Sequence, residues 1–162
     1  MNYLEFLKTK IELAPSSGFE VERSEVNTAL KPHQADAVLW AIRGGRRALF
    51  EAFGLGKTVQ EIEFCHLVAK HKEGQALIVL PLGVRQEFTR DAVEVLGYEK
   101  PEYCRTMEEV KQSKAEIILT NYERVRDGDI RPDYFVATSL DEASVLRSFG
   151  SKTYQTFLDK FK

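Results

Sequence analysis

Glycine, lysine and threonine at fixed spacing, in the run "FGLGKT" from Phe53 to Thr58, raise the question of chemistry. A glycine-rich loop that leaves a strand and opens a helix aims several backbone N–H groups, and the positive end of the helix dipole, at one point. An oligophosphate needs such an arrangement. Gly54, Leu55 and Gly56 would form the cradle, the glycines taking positive φ angles and letting the backbone come close. Lys57 would reach the β and γ phosphates of a triphosphate, and the Thr58 hydroxyl would ligate magnesium. The plain alternative is a glycine turn with a surface lysine, and the run departs from the pattern GxxxxGK[ST] by carrying Glu51 at its first glycine position.

A magnesium–triphosphate site also requires a carboxylate at the end of a neighbouring strand. "YFVATSLDEAS" supplies Asp141 and Glu142 at such a place. Asp141 would stand on the magnesium side and Glu142 would be the general base orienting water. A surface acid pair can equally be a solvated helix cap.

The elements around these residues follow from apolar periodicity. Leu4 and Leu7 suggest an N-terminal helix, followed through residue 30 by a Pro-, Ser- and Gly-containing linker. Pro32 suits a first helical turn, and Ala35, Val38, Leu39 and Ile42 recur on one face until Gly44 and Gly45. Beyond it, "RALFE", "QALIVLP", "EIILTN" and "YFVATSL" read as strands. They alternate with helices at "KTVQEIEFCHLVAKH", "VRQEFTRDAVEVLG" and "SKTYQTFLDKF". Alternation with strands apolar on both faces predicts an α/β fold, a mostly parallel sheet with helices on both sides. Ligands in such sheets bind at the carboxyl ends of the strands.

Composition narrows the class. With 162 residues and 43% apolar content the chain can bury one substantial core. Its 23 basic and 25 acidic residues give a net charge of -2, so any contact with DNA must be a local patch. The basic cluster "RGGRR" reads as a solvated turn, with no aromatic residue interleaved, and Trp40 reads as core. Cys65 and Cys104 lie far apart without metal-ligand spacing, and Cys65 and His66 point to different helix faces. A reducing cytoplasm fits. Apolar runs are too short to span a bilayer, so no membrane partner is expected.

The segments "LKPHQADAV", "EAFGLGKT", "LIVLPLGVRQEF", "ILTNYERV" and "LDEASVLRSFGSKT" come in the order and approximate spacing of the N-terminal motor lobe of superfamily 2 helicases. The chain most resembles Swi/Snf-type double-stranded DNA translocases of the DEAD/DEAH-type class and their phage-encoded relatives. In that family the loop typically reads "DEMGLGKT", so Glu51 is a family trait.

The resemblance implies a RecA-like P-loop NTPase lobe over residues 31–162, preceded by the helix and linker of residues 1–30. Gln34 would read the adenine edge. Pro81, Leu82 and Gly83, with Asn121 and Tyr122, would lie along a DNA backbone without reading sequence, although a strand-to-helix turn and a helix cap remain open for those two segments. Ser144 replaces a common histidine that links hydrolysis to the rest of the motor.

The family continues with a further strand and a second RecA-like lobe whose arginines reach the γ phosphate. The expectation is thus a lobe incomplete at its C-terminus, very weak alone and an ATP hydrolase when completed in cis or in trans. Alternatives are a non-catalytic docking or DNA-binding module, one piece of a split motor, or a small P-loop kinase.

Overall fold

A computed structural model of the chain describes residues 15–49, 51, 56–146 and 151–161. The helix expected over residues 2–10 lies outside the described residues, as do Gly54 and Leu55. Four parallel strands form one sheet in the order β2–β3–β1–β4, with β1 at Ala76–Val79, β2 at Glu102–Tyr103, β3 at Ile117–Thr120 and β4 at Ala137–Leu140.

The apolar runs of β1 and β3 bury every residue because helices cover both faces. Side chains alternate between two cores, as the strand period requires. Ala76, Ile78, Leu80, Ile117 and Leu119 face one core; Leu77, Val79 and Ile118 face the other.

The first core is closed by helices α1 (Pro32–Gly44) and α2 (Lys57–Lys72), and by α3 (Arg85–Arg90), which runs on as a π-helical turn over Asp91–Val95. Val38, Ile42, Ile62, Leu67 and Phe88 carry that packing. The second core lies under α4 (Met107–Gln112), α5 (Tyr122–Arg126) and α6 (Lys152–Lys160), through Val110, Tyr122, Val125 and Phe157.

Local chemistry sets the helix ends. Pro32 occupies the first turn of α1, where its missing N–H is no loss, and the Gln34 side-chain oxygen accepts from the Lys31 backbone N–H at 2.9 Å. At the other end, Ser17, Gly18 and Phe19 donate their backbone N–H groups to the carbonyls of Gly44, Arg43 and Ile42. Carbonyls at a helix C-terminus lack partners within the helix, so the preceding coil segment is pinned to it. Farther along, Asn27 donates its backbone N–H to Glu63 at 2.8 Å and its amide to the Leu96 carbonyl at 2.8 Å.

Two expectations are corrected. Arg47, Ala48, Leu49 and Glu51, expected in a strand, are not in the sheet. A strand needs a ladder partner; here Leu49 is exposed, and Arg47 stacks over Trp40 and donates to Ser16. Trp40, expected in the core, is 47% exposed, with the Arg47 guanidinium 5.3 Å from its ring centroid. The basic cluster therefore does have an aromatic partner, supplied by the previous turn of α1. Cys65 and Cys104 are buried free thiols.

Candidate nucleotide site and nucleic-acid face

The site is built where α2 begins and β4 ends. Gly56 precedes α2 with φ +74°, a left-handed conformation that a side chain would strain. A Cβ there would also lie 2.3 Å from Gln34 Nε2, so the Gln34 amide packs directly against the end of the glycine loop. Gln34 is buried, and its position against the loop comes from α1 packing on α2. The structure thus brings Gln34 and Gly56 together, two residues that sequence placed in one site.

Glu51, at the loop's entrance, accepts from Gln60 Nε2 at 2.8 Å, and the same amide reaches the Gly56 carbonyl at 3.3 Å. A glycine at position 51 would lack this clasp. Here the acid ties the start of the loop to the first turn of the helix that ends it.

Lys57 and Thr58 stand in the first turn of α2. Burial raises the pKa of both Asp141 and Glu61, and the Lys57 charge, near enough to act on each, opposes part of that rise. Thr58 Oγ1 lies 3.4 Å from Glu87 Oε1 on α3.

Asp141 extends the β4 ladder, its N–H donating to the Val79 carbonyl at 2.9 Å. Its own carbonyl accepts from the Tyr122 hydroxyl at 2.5 Å. Burial pushes the Tyr122 phenol well up, so it remains a neutral donor.

Glu61 was not anticipated. It lies one turn beyond Lys57, on the same face of α2, and that i, i+4 spacing was the available signal. Ser139 on β4 donates to Glu61 Oε2 at 2.9 Å, and the Glu61 carboxyl also hydrogen-bonds Asp141. Burial, then the Asp141 charge, pushes Glu61 up to about 8. Burial raises Asp141 as well, while the hydrogen bond from Glu61 opposes that rise.

Glu142 is exposed and takes φ +52°. A left-handed conformation at a non-glycine residue turns the chain sharply after the strand. Ser144, the residue standing in for histidine, donates to Glu142 Oε2 at 3.0 Å. Asp141 and Glu142 therefore leave the strand tip in different settings, one against α2 and one toward solvent.

These residues suit a magnesium nucleotide. No cluster of His, Cys, Asp or Glu among the described residues could cage a metal by itself. Magnesium takes one or two protein oxygens and completes its shell with phosphates and water, so a nucleotide-bound ion does not need such a cluster.

A second concavity, of about 250 Å³, opens beside the strand ends and is lined by Pro81, Leu82, Tyr122, Glu123, Arg126 and Thr153. The two segments expected along a DNA backbone thus meet in one cleft. Leu82 is 55% exposed, and a Cβ at Gly83 would meet nothing within 4 Å, so this rim is open to a large partner. Asn121 differs: its Oδ1 accepts from the Tyr103 hydroxyl at 2.8 Å and its Nδ2 donates to Glu123 at 2.5 Å, turning the side chain inward.

Among the described residues, no helix is long and apolar enough to cross a membrane. His66 Nδ1 lies 2.6 Å from Glu116, and its ring stacks on Tyr98 at 3.9 Å. Neighbouring Cys65 is fully buried, so the two do diverge.

No family model matches the sequence, and no curated protein compared with it matches either. Solved structures do. The UvsW helicase from bacteriophage T4 superposes with a TM-score of 0.66 at 15% identity, over 99% of this chain and 56% of its own. The Sulfolobus solfataricus SWI2/SNF2 ATPase core, solved in complex with dsDNA, gives 0.65 at 19% identity, over 85% of this chain and 31% of its own. A further T4 UvsW structure gives 0.60 at 15% identity, over 97% and 32%. The chain thus spans 56% of the first of these proteins and 31% and 32% of the other two chains. Likeness at such identities speaks for the fold, and the expected fold class is borne out: a parallel α/β sheet matching the RecA-like lobes of helicases and ATPases.

Proposed function

We propose that this chain is the ATP- and magnesium-binding lobe of a DNA-dependent ATPase that moves along duplex DNA by its phosphate backbone. The carrying observation is a Gly56 that opens α2 with the buried Gln34 amide packed against it, on a helix that Ser139 of β4 ties at Glu61 by a 2.9 Å hydrogen bond, just before the strand tip that bears Asp141. Gln34 would hold the adenine edge, while Gly54, Leu55 and Gly56 would supply backbone N–H groups to the phosphates.

Bound magnesium would neutralise developing charge on the phosphates. Thr58 and Asp141 would be its protein ligands, and Lys57 would offset the charge of the β and γ phosphates. Glu142, exposed at the turn after the strand, would orient the attacking water.

Hydrolysis at a useful rate needs arginines from a second RecA-like lobe, a contribution of roughly 10³ to 10⁵ in turnover. That lobe would act in cis or in trans, and translocation would follow from the two lobes closing around nucleotide. Pro81, Leu82 and Tyr122 would meet the DNA backbone in the cleft between the strand ends.

Calorimetric titration with ATP and magnesium tests the reading. Native chain should bind and Lys57→Ala should bind at least about tenfold more weakly, given the strength of charge-assisted contacts to phosphate. Equal affinities would remove the basis for the site. A non-catalytic docking module is favoured by one observation, the serine at position 144 in place of the coupling histidine. DNA-stimulated phosphate release after adding a second lobe in trans would sink it.

A further inference from the structure

Most surface arginines of this lobe are already neutralised. Arg23, Arg43, Arg90, Arg124, Arg126 and Arg131 each reach an Asp or Glu side chain. Arg85 does not: among the described residues no carboxylate lies within ion-pairing distance of it, and its guanidinium instead sits 5.0 Å from the centroid of the Tyr103 ring. A ring face orients a guanidinium without consuming its N–H groups, so the whole donor fork and the full charge remain available to a ligand.

The platform is itself fixed. Tyr103 stands on the edge strand β2, its hydroxyl donating to Asn121 Oδ1 at 2.8 Å, and Arg124 also hydrogen-bonds it. Asn121 is the residue at the tip of β3, next to the Tyr122 that lines the cleft. Arg85 begins α3, directly after the turn Leu82–Val84 that forms the cleft's other rim. The arginine is thus placed by the same two strand tips that build the proposed nucleic-acid face. Arg85 and Tyr103 also line a groove of about 520 Å³, with Gln86 and Lys100 along it. Arg90, Glu94 and Glu102 line it too: Arg90 is held by Asp91, and Glu102 accepts from the Ser113 hydroxyl at 2.5 Å while keeping its charge, so the groove carries both signs and Arg85 is the cation in it that a ring, not an acid, orients.

The geometry points to the Arg85–Tyr103 corner and the groove beyond it as a second anchoring surface for the phosphate backbone of duplex DNA, continuing the track from the Pro81–Tyr122 cleft. It rests on the DNA half of the function proposed above. The occupant follows from Arg85 itself: in a chain with net charge -2 its guanidinium is pre-oriented over Tyr103 with no carboxylate on it, and the Lys100 ammonium and Gln86 amide line the same groove, donors that suit the phosphodiesters of a backbone. Asn121 acts through Tyr103, as a positioning residue whose inward-turned side chain holds the platform.

Fluorescence anisotropy with a mixed-sequence DNA duplex, measured over a salt series from low ionic strength, tests this. Arg85→Ala should weaken binding severalfold and make the slope of log K against log salt shallower by about 0.9, one phosphate contact. Arg85→Lys should restore the slope. Arg131→Ala, which removes an arginine already held by Asp133, should leave both unchanged. ATP titration and melting of each variant report that the fold is intact. If native chain binds duplex and Arg85→Ala keeps its affinity and slope, the inference falls while the DNA reading stands. If native chain binds no duplex at any salt, both fall, with ATP binding unaffected. Polyglutamate bound as tightly as duplex at matched charge would overturn the phosphate occupant.

Discussion

Adjacent strands β1 and β4 meet residue for residue in a parallel ladder yet live in different surroundings. Every residue of β1 is buried, whereas every residue of β4 is only half-buried, and Ile78 stands opposite Ser139. On the β1 and β3 side, apolar residues fill two closed cores. On the β4 side, Ser139 supports the carboxyl of Glu61, and the strand tip ends in two acids. The difference teaches where this lobe keeps stability and where it keeps chemistry. An ionisable group away from water opposes folding unless paired: Glu61 and Asp141 meet beside β4, where packing is looser, and the fully buried Glu63 is tolerated in the first core because Asn27 and Tyr98 hydrogen-bond it.

The sharpest attempt to break that contrast is a pair of substitutions at one register position. Ile78→Ala should cost about 2 to 5 kcal/mol, because it opens a cavity in a packed core. Ser139→Ala should cost about 1 kcal/mol, the worth of one hydrogen bond. Urea denaturation of both reads the difference. Similar losses would mean that β4 is as deeply integrated as β1, and the division would fail.

The chemical half should also be the half that senses pH. Burial and then the Asp141 charge push Glu61 up to about 8 in the folded chain, from an ordinary 4.5. The folded state therefore binds the extra proton in that interval. Its contribution to stability is fully present below the ordinary value and is lost as pH rises through the folded value. Glu61→Gln keeps a group able to accept from Ser139 and donate to Asp141, without a charge to desolvate. Between about pH 5 and about pH 8, native chain should lose stability relative to Glu61→Gln, in urea midpoints taken across that range. Parallel curves for the two would show that Glu61 is not held protonated.

Sequence made the packed half legible for a physical reason. "ALIV" and "IILT" are apolar on both faces, which fits strands covered on both sides, and Pro32 and Gly56 mark helix starts by backbone chemistry alone. Lys57, Thr58, Asp141 and Glu142 could be proposed as site residues because loop and strand tip carry their own local signatures. Glu61 was not, since its significance comes from Ser139 and Asp141, which reach it from another element. Nor was β2, whose two residues are too short to show a period. Arg47 to Glu51 misled because a short apolar run states a preference for extended backbone but cannot name a partner. Trp40 misled because its large apolar ring was weighed without Arg47, which covers one face of it from outside.

The two halves are joined at Tyr122, and the smallest predicted effect concerns that joint. Its ring packs with Phe157 in the second core, centroids 5.4 Å apart, while its hydroxyl holds the Asp141 carbonyl. Tyr122→Phe preserves the packing and removes the hydrogen bond, at about 1 kcal/mol. If the core positions the strand tip, ATP affinity measured with magnesium should fall by about fivefold, the binding equivalent of that energy, as the Asp141 backbone loosens. If the tip is held by its ladder to Val79 alone, the variant should melt slightly earlier and bind ATP as tightly as before. That result would leave the packed half a bystander to the chemistry, with the β1 edge and not the second core setting the position of the acids.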